Sequence, residues 1–510
     1  MSMRRLLPAA ALAAVVVLSG ALSACTTMSG GGGGAGEEQV LRYSPALFPV
    51  SLDAHQYPAE EPTQTAVQQV METLVAMEDG QPVGVLAESF EPVGDNTWVF
   101  HLRAGVTFSD GTPLTARDVK ASLERGQALK WSLAPLFTAV QQVEATDDRT
   151  VTFRTSEPLG TLPSSLSLVF IGPADRVNDP AYWERPIGTG PFLFESFTPD
   201  DRVVLRRNDT YWGEKATLDR VEIVSIPETA ARITALRTGE VDVLQSIPPD
   251  QASEVDGRPD IAYGSGPSFQ YYFTWFNSSR PPFDDVRVRQ AMWHALDLNA
   301  IVGDLFGDSA SVAEAPITQD VFGAPALQPY AYDPARAKAL LAEAGHPDGL
   351  RVSMQWPREG GPNIRALAQA MVSAWAAIGV TVEPLEKERP QWLQDLNAKN
   401  FDLNLQTNTT GTGDADFTLA RLYVCSANRT GYCNPELDRL LLDARASLDQ
   451  GERERLYARA AQIIWDDAVG IFPADLRSNY AVRSRVKGFA LPVNGRPQFR
   501  TVSIDTATGS

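Results

Sequence analysis

Segments with strand-like and helix-like hydrophobic patterns alternate along the chain from about residue 40 onward, and this alternation constrains the fold more than any other feature. Apolar residues at every second position in 98–102, and again in 350–356, are typical of strands with one buried face. In 364–378 they recur at every third or fourth position, as on one face of a helix. No long linker follows residue 38. The pattern therefore predicts mixed α/β domains that pack closely and exchange chain more than once.

Local signals mark where several helices begin. Thr115 and Asp118 have the spacing of a capping box, in which each side chain binds the backbone of the other residue. Asp333 and Asn434 are each followed by proline, which favours the first position of a helix. We therefore predict helices that start at these three points.

The first 38 residues indicate export and lipid attachment. Arg4 and Arg5 precede an apolar run over 6–21, and Leu22, Ser23 and Ala24 lead to Cys25. Two positive charges, a short apolar core and small residues before the cut are typical of an export signal. A cysteine at this point predicts a lipoprotein, with residues 1–24 as the signal and diacylglycerol on Cys25. The alternative is a plain secretory signal with an accidental cysteine. Residues 25–38 are rich in glycine and predict a flexible tether.

The composition of the remaining chain excludes some partners. Loss of the two signal arginines changes the formal net charge from −19 to −21. A protein this acidic is a poor candidate for binding nucleic acid or an anionic membrane surface. No second run of about 18 apolar residues occurs, so contact with the membrane is expected through the lipid only. About 470 residues follow the tether, enough for two or three domains, and we expect a monomer.

Two cysteines remain after lipid attachment. Cys425 and Cys433 are separated by seven residues, and an oxidising compartment favours a disulfide between them. Such a small loop gives a stabilisation of about 2–3 kcal/mol. Two free buried thiols are the alternative, and a metal site is a weak one because no histidine is near.

The sequence contains no common catalytic motif. HExxH, a P-loop, GxSxG and CxxC are all missing, and the four histidines at positions 55, 101, 294 and 346 are scattered. The glycines of 188–190 predict a backbone turn and not a phosphate cradle. We therefore expect no catalytic residue, no metal and no cofactor, with a secreted hydrolase as a remote alternative.

Several motifs occur in a characteristic order along nearly the whole mature chain. They are AESF at 87–90, WVFHLR at 98–103, FSDG at 108–111, PLTARDV at 113–119, IGTGPF at 187–192, GEVDV at 239–243, DVRVRQA at 285–291 and NPE at 434–436. In order and spacing they resemble the family 5 extracellular solute-binding proteins, the peptide, dipeptide and nickel receptors of ABC importers.

The resemblance implies an α/β fold with two lobes, that of the class II, cluster C periplasmic binding proteins, with an extra subdomain in lobe I. We expect lobe I at 39–266, with the subdomain at about 55–178, lobe II at 267–473, and a return to lobe I over 474–510. The two lobes of such proteins close on a ligand by a hinge motion.

The resemblance also implies a residue for the ligand's amino group. Dipeptide receptors use an aspartate in the second lobe, and that role passes here to Asp414, with Asp416 as the second choice. This sequence departs from the family, because no tryptophan precedes the aspartate, where 409–412 now lie. A solvated loop acid is the alternative interpretation.

The ligand's carboxylate would need a cation. Arg358 roughly matches the arginine of the dipeptide receptors, and a guanidinium suits a carboxylate bidentately. A surface arginine is the alternative. Tyr43, Ser44 and Trp275 are weaker pocket candidates, and for Trp275 a core position is favoured over a pocket role. Dipeptide receptors also carry a local disulfide at the place of the two cysteines.

Together these features predict a lipid-anchored, extracytoplasmic receptor, on the cell surface or in a periplasm. It would capture di- to oligopeptides between its lobes and deliver them to an ABC permease and its ATPase. The same fold with another solute is the main alternative: an oligosaccharide, a nickel chelate, haem or an opine. A sensing or adhesion lipoprotein without transport is a further one.

Overall fold

The computed structural model of the chain describes residues 38–58 and 60–505. The predicted signal, Cys25 and nearly all of the tether lie outside the described residues. The strands are β1 (Val40–Ser44), β2 (Val75–Glu78), β3 (Gln81–Gly84), β4 (Ala87–Pro92), β5 (Thr97–Leu102), β6 (Val140–Ala145), β7 (Thr150–Thr155), β8 (Phe192–Thr198), β9 (Arg202–Arg207), β10 (Arg220–Val224), β11 (Val243–Gln245), β12 (Ile261–Phe276), β13 (Ala310–Ser311), β14 (Leu350–Pro357), β15 (Val380–Lys387), β16 (Leu403–Thr409), β17 (Gly470–Arg483), β18 (Val486–Lys487) and β19 (Ser503–Ile504).

The helices are distributed between these strands. They are α1 (Glu61–Val67), α2 (Ala116–Ala128), α3 (Leu162–Leu166), α4 (Thr229–Thr238), α5 (Val286–His294), α6 (Leu298–Phe306), α7 (Pro334–Glu343), α8 (Ile364–Ala376), α9 (Arg389–Asn397), α10 (Ala415–Tyr423), α11 (Pro435–Ala446) and α12 (Gln450–Asp466). Short 3-10 turns occupy Ala134–Phe137, Pro180–Glu184, Pro249–Glu254, Gly307–Ser309 and Cys425–Ala427. No helix in the described ranges has both the length and the apolar content that a membrane crossing requires.

The local predictions from the sequence are confirmed. Trp98, Phe100 and Leu102 are buried on one face of β5, as the alternation predicted. The carboxylate of Asp118 accepts a hydrogen bond from the Thr115 backbone N–H at 2.7 Å, which closes the capping box of α2. The helices α7, α8 and α11 begin and end close to the predicted positions.

One long mixed sheet runs through the molecule in the strand order β15-β14-β16-β12-β17-β11-β1-β10-β9-β8, with β13 beside β17. The two longest strands, β12 and β17, are antiparallel neighbours at its centre. The first half of β12 pairs with the second half of β17, whose other neighbour is β11. The second half of β12 pairs with β16 on its other side. The register of the β12–β17 pair breaks between Pro267 and Tyr271.

Separate hydrophobic cores lie on the two sides of this break. Residues from Phe269 to Leu476 form a core that contains Tyr271, Trp275 and Trp375, and we call this part of the molecule the second lobe. On the other side, a core around Tyr43 and a second core under the four-stranded sheet β4-β5-β7-β6 form the first lobe and its subdomain. A smaller cluster packs α4 against β11. The predicted crossing points near 266–267 and 472–473 lie on the two central strands.

The predicted turn at 188–190 is a bend in the backbone, packed against the first lobe's core. A Cβ atom on Gly188 would lie 2.1 Å from the carbonyl oxygen of Val70, and one on Gly190 would lie 2.7 Å from the Val70 carbonyl carbon. The Gly190 N–H donates to that oxygen at 2.8 Å. The backbones approach so closely that a side chain cannot be placed there.

Candidate ligand-binding site between the two lobes

The two lobes touch at several points away from the central strands. The backbone N–H of Gly160, in the first lobe, donates to the carbonyl oxygen of Arg445 in the second at 2.8 Å. Phe417, on α10 of the second lobe, packs against the core of the first lobe's subdomain. A ligand held between the lobes would meet groups that lie between these contacts and the central strands.

One arginine at this interface has no acidic partner. Arg421 lies one helical turn after Phe417, and its guanidinium sits 4.8 Å from the centre of that ring. Its Nε donates to the Phe417 carbonyl oxygen at 2.8 Å and its Nη2 to Oδ1 of Asn408 at 3.1 Å. Within the described part of the chain, no carboxylate comes within 4.0 Å of Arg421 to form an ion pair. Burial lowers the pKa of the Arg421 guanidinium, and nearby Tyr271 raises it again in part.

The hydrogen bonds of Arg421 continue through Asn408 to a tyrosine hydroxyl on the central strand β12. The Asn408 amide donates to the hydroxyl of Tyr271 at 3.4 Å and to Oγ1 of Thr418 at 3.1 Å. Tyr271 is fully buried, and burial raises its pKa well above the ordinary value, while Arg421 lowers it and Asp475 raises it further. The Tyr271 hydroxyl therefore lies close enough to a positive charge, Arg421, and a negative charge, Asp475, for both to shift its pKa.

A cavity of about 180 Å³ opens at the register break of β12 and β17. Its lining comes from both central strands and from the segment after β13, and it includes Ser268, Thr318 and Asp475. Oδ1 of Asp475 and Oγ1 of Thr318 are buried there without a hydrogen-bond partner among the described residues. Burial, followed by the charges of Asp320 and Glu314, raises the pKa of Asp475 to about 7.

The two predicted acids of the second lobe are buried, and each has its own arginine. Oδ2 of Asp414 lies 2.5 Å from Nη2 of Arg453, and Oδ1 of Asp416 lies 3.0 Å from Nε of Arg445. Asp414 also caps α10, since its carboxylate accepts from the Asp416 N–H at 3.0 Å. Burial raises the pKa of Asp416, and the charge of Arg445 lowers it again in part. Both charges are thus compensated within the protein.

Arg358, the predicted partner of a ligand carboxylate, lies at the surface just beyond β14. Its side chain is 59% exposed, and its Nη2 is 2.8 Å from the equally exposed Glu388. An exposed ion pair of this kind contributes little to stability. Arg358 therefore stays a prediction as the partner of a ligand carboxylate.

The three weaker candidates are fully or almost fully buried. The hydroxyl of Tyr43 hydrogen-bonds to Gln245 at the end of β11. Ser44, the next residue, has a buried Oγ without a partner among the described residues. Trp275 lies inside the second lobe's core, where its indole N–H donates to the hydroxyl of Tyr423 at 3.3 Å. Of these three, Ser44 alone presents a free hydrogen-bonding group.

A larger cavity of about 560 Å³ lies entirely within the first lobe, lined by residues of 50–56 and 180–199. The carboxylate of Asp53 in its wall is bound bidentately by Arg125 at 2.6 and 2.8 Å. No residue of the second lobe lines it. This cavity therefore lies away from the contact between the lobes.

Comparison with known proteins identifies the family. Residues 81–430 match the model of the bacterial extracellular solute-binding proteins, family 5 Middle. The chain is a family 5 solute-binding protein. The glutathione-binding protein GsiB of Pectobacterium atrosepticum is 29% identical to it over 432 residues, which are 81% of this chain and 84% of that protein. The dipeptide-binding protein of Escherichia coli K12 is 28% identical over 458 residues, 82% and 86% of the two chains.

A solved structure gives the same fold. The ABC transporter-associated periplasmic binding protein DppA from Helicobacter pylori, in complex with the peptide STSA, matches with a TM-score of 0.78 at 25% identity, over 91% of this chain and 98% of that one. The predicted two-lobed α/β fold is thereby confirmed. This solute-binding protein is a transport component and not an enzyme, and the hydrolase alternative is dropped.

The predicted disulfide of this solute-binding protein is present, and it joins Cys425 to Cys433. Sequence reasoning did not single out Arg421 and Asp475. A signal existed for Arg421, because an arginine four residues after Phe417 falls on the same helix face. For Asp475, the signal was a lone acid within an apolar strand, 470–476.

Proposed function

We propose that this protein captures short peptides with free ends between its lobes and delivers them to the permease of an ABC importer. The observation that carries the proposal is Arg421: a half-buried guanidinium at the contact between the lobes, hydrogen-bonded but without a carboxylate partner in the described residues. A peptide's terminal carboxylate supplies the missing charge, and a guanidinium binds it bidentately. The likeness to proteins named for dipeptides and for a peptide complex supports this choice.

A neutral sugar would leave this guanidinium unpaired after lobe closure had removed its water. Such desolvation without a partner costs several kcal/mol. A peptide is therefore favoured over an oligosaccharide. For the ligand's amino group, Asp414 and Asp416 stay the family-based prediction; binding there requires the ligand to share a carboxylate that an arginine already holds. Ser44 is the first-lobe group that we expect to complete the site.

The N-terminal features complete the proposal. A diacylglycerol on Cys25 would hold the protein at the outer face of the cell membrane, and the glycine-rich segment would let the body reach the permease. Replacement of Cys25 by serine should release the protein from the membrane fraction and abolish metabolic labelling with palmitate. Retention of both in the variant would exclude this anchor.

Native mass spectrometry of the protein purified without its signal, repeated after denaturation, tests the proposed ligand. We expect heterogeneous co-purified masses in the di- to oligopeptide range. Arg421→Gln should lose them, whereas Arg358→Gln, which removes the same charge at the surface, should keep them. The reverse pattern would assign the carboxylate site to Arg358. A single non-peptide mass would exclude the peptide proposal and leave the family assignment unchanged.

A further inference from the structure

The cavity at the register break is too small for a whole peptide but large enough for one of its charged groups. Its volume of about 180 Å³ corresponds to roughly six water molecules at ~30 Å³ each. Binding sites for complete small ligands measure ~300–1,000 Å³. The cavity therefore suits the end of a ligand or one side chain.

The charge of its lining is predominantly negative. Glu314, Asp320 and Asp475 all line it, and Arg477 does so as well. The Arg477 guanidinium turns toward Ser265, with its Nε 3.4 Å from the serine Oγ. Within the described part of the chain, no cation lies within 4.0 Å of the Asp475 carboxylate. The negative charge of this wall is left without an internal partner.

Two further atoms indicate that the cavity is built for a polar group. Thr318, one of the lining residues, is only 1% exposed, and its buried Oγ1 has no hydrogen-bond partner among the described residues. Oδ1 of Asp475 is also buried and also has no hydrogen-bond partner among the described residues. Buried polar atoms in proteins are nearly always hydrogen-bonded, so two unpaired oxygens on residues that line one cavity point to a polar group that enters it.

The lining suits an organic cation better than a metal ion. Across the described residues, no three or more His, Cys, Asp or Glu side chains are arranged so that they could hold a metal. An ammonium or guanidinium group needs fewer charged partners and can also donate to a hydroxyl such as that of Thr318.

We propose that the cavity between β12, β17 and the segment after β13 binds a cationic group of the ligand, an ammonium or guanidinium, against Asp475, Glu314 and Asp320. The inference rests on the proposed function and makes the transported solute a cationic peptide. The group comes either from the peptide's amino terminus or from a lysine or arginine side chain.

Calorimetric titration of the ligand-free protein with three tripeptides tests this proposal. Ala-Lys-Ala offers both cations, Ala-Gln-Ala only the amino terminus, and N-acetyl-Ala-Lys-Ala only the side chain. We expect Ala-Lys-Ala to bind at least tenfold more tightly than one of the other two, and the weaker analogue identifies which cation enters the cavity. Asp475→Asn should remove this preference. Asp304→Asn, a change of equal charge on the exposed face of α6, should keep it.

A weaker change at the rim, Asp320→Asn, gives an independent check and should reduce the preference two- to fivefold. Equal binding of all three peptides, with no effect of Asp475→Asn, would overturn the cation site while the peptide function stands. If none of the peptides binds, the proposed function fails, and titration with free lysine decides the inference separately. Saturable lysine binding that Asp475→Asn abolishes would support it, and no binding would overturn it.

Discussion

The guanidinium of Arg453 is bound to the carboxylate of Asp414, with 2.5 Å between Nη2 and Oδ2, and the two side chains are only 10% and 2% exposed. Burial alone would lower the pKa of Arg453, but Asp414 raises it above its ordinary value. The same guanidinium lies 5.1 Å from the ring centre of Phe322, and Tyr457 accepts from it at 3.4 Å. The pair thus ties the start of α10 to α12 inside the second lobe.

Asp414→Asn should destabilise the protein strongly, because it leaves Arg453 buried without a counter-charge. Breaking a buried pair from one side costs about 3–5 kcal/mol, measurable as a lower free energy of unfolding in urea. The double variant Asp414→Asn/Arg453→Gln should recover more than half of that loss. A single variant with the stability of the natural protein that nonetheless fails to bind peptide would instead show that Asp414 serves the ligand alone.

Gly160→Ala should weaken ligand binding by interfering with lobe contact. A Cβ atom at this position would lie 1.9 Å from the carbonyl oxygen of Ser447 in the other lobe, where an ordinary contact is not possible. We expect at least a tenfold higher Kd and a larger radius of gyration in small-angle scattering with ligand present. Gly303→Ala on α6, where nothing lies within 4 Å, is the control. Unchanged scattering and affinity would mean that this contact does not limit closure.

Stability should fall between about pH 4 and pH 7 because of Asp475. Its pKa is raised to about 7 by burial and by Asp320 and Glu314, whereas the carboxyl of an unfolded aspartate has a pKa of about 3.9. The unfolded state therefore loses this proton first, and the free energy of unfolding decreases with rising pH until the folded carboxyl ionises as well. With Arg477 also at the cavity wall, we expect a loss of about 1–3 kcal/mol.

The comparison of unfolding curves at pH 4 and pH 8 measures this effect. Asp475→Asn should show a smaller decrease and be the more stable protein at pH 8. Equal pH dependence in both proteins would contradict an elevated pKa at Asp475. A cationic ligand should reverse the trend, since its binding favours the ionised carboxylate.

Loss of the disulfide should have a moderate local effect. Replacement of Cys425 and Cys433 by serine removes a small covalent loop, and we expect the free energy of unfolding to fall by about 2–3 kcal/mol. The backbone N–H of Cys425 also donates to Asp438 on α11 at 2.7 Å, so increased hydrogen exchange should concentrate at the start of that helix. Protection lost evenly over the second lobe would contradict a local role.

Features that depend on neighbouring residues could be predicted from the sequence, and those that depend on packing between distant segments could not. The capping box of Thr115 and Asp118, the buried face of 98–102 and the Cys425–Cys433 bond all arise within a few residues. Asp414, by contrast, meets an arginine 39 residues away, and no local pattern indicates that pairing.

The site residues show the same division. Family resemblance led to Asp414 and Arg358 by position along the chain, yet one is paired in the interior and the other lies exposed beside Glu388. Arg421 and Asp475 gain their significance from the contact of the lobes and from the register break between two strands that are far apart in sequence. Neither circumstance is visible in a helix or strand considered alone.

A crystal structure of the protein with a peptide recovered from it would show which residues hold the two charged ends of the ligand. We expect a peptide between the lobes with its carboxylate at Arg421 and an ammonium or guanidinium nitrogen within hydrogen-bonding distance of Asp475. A peptide whose charged groups meet neither residue, or a solute bound only in the first-lobe cavity lined by residues of 50–56 and 180–199, would contradict this expectation.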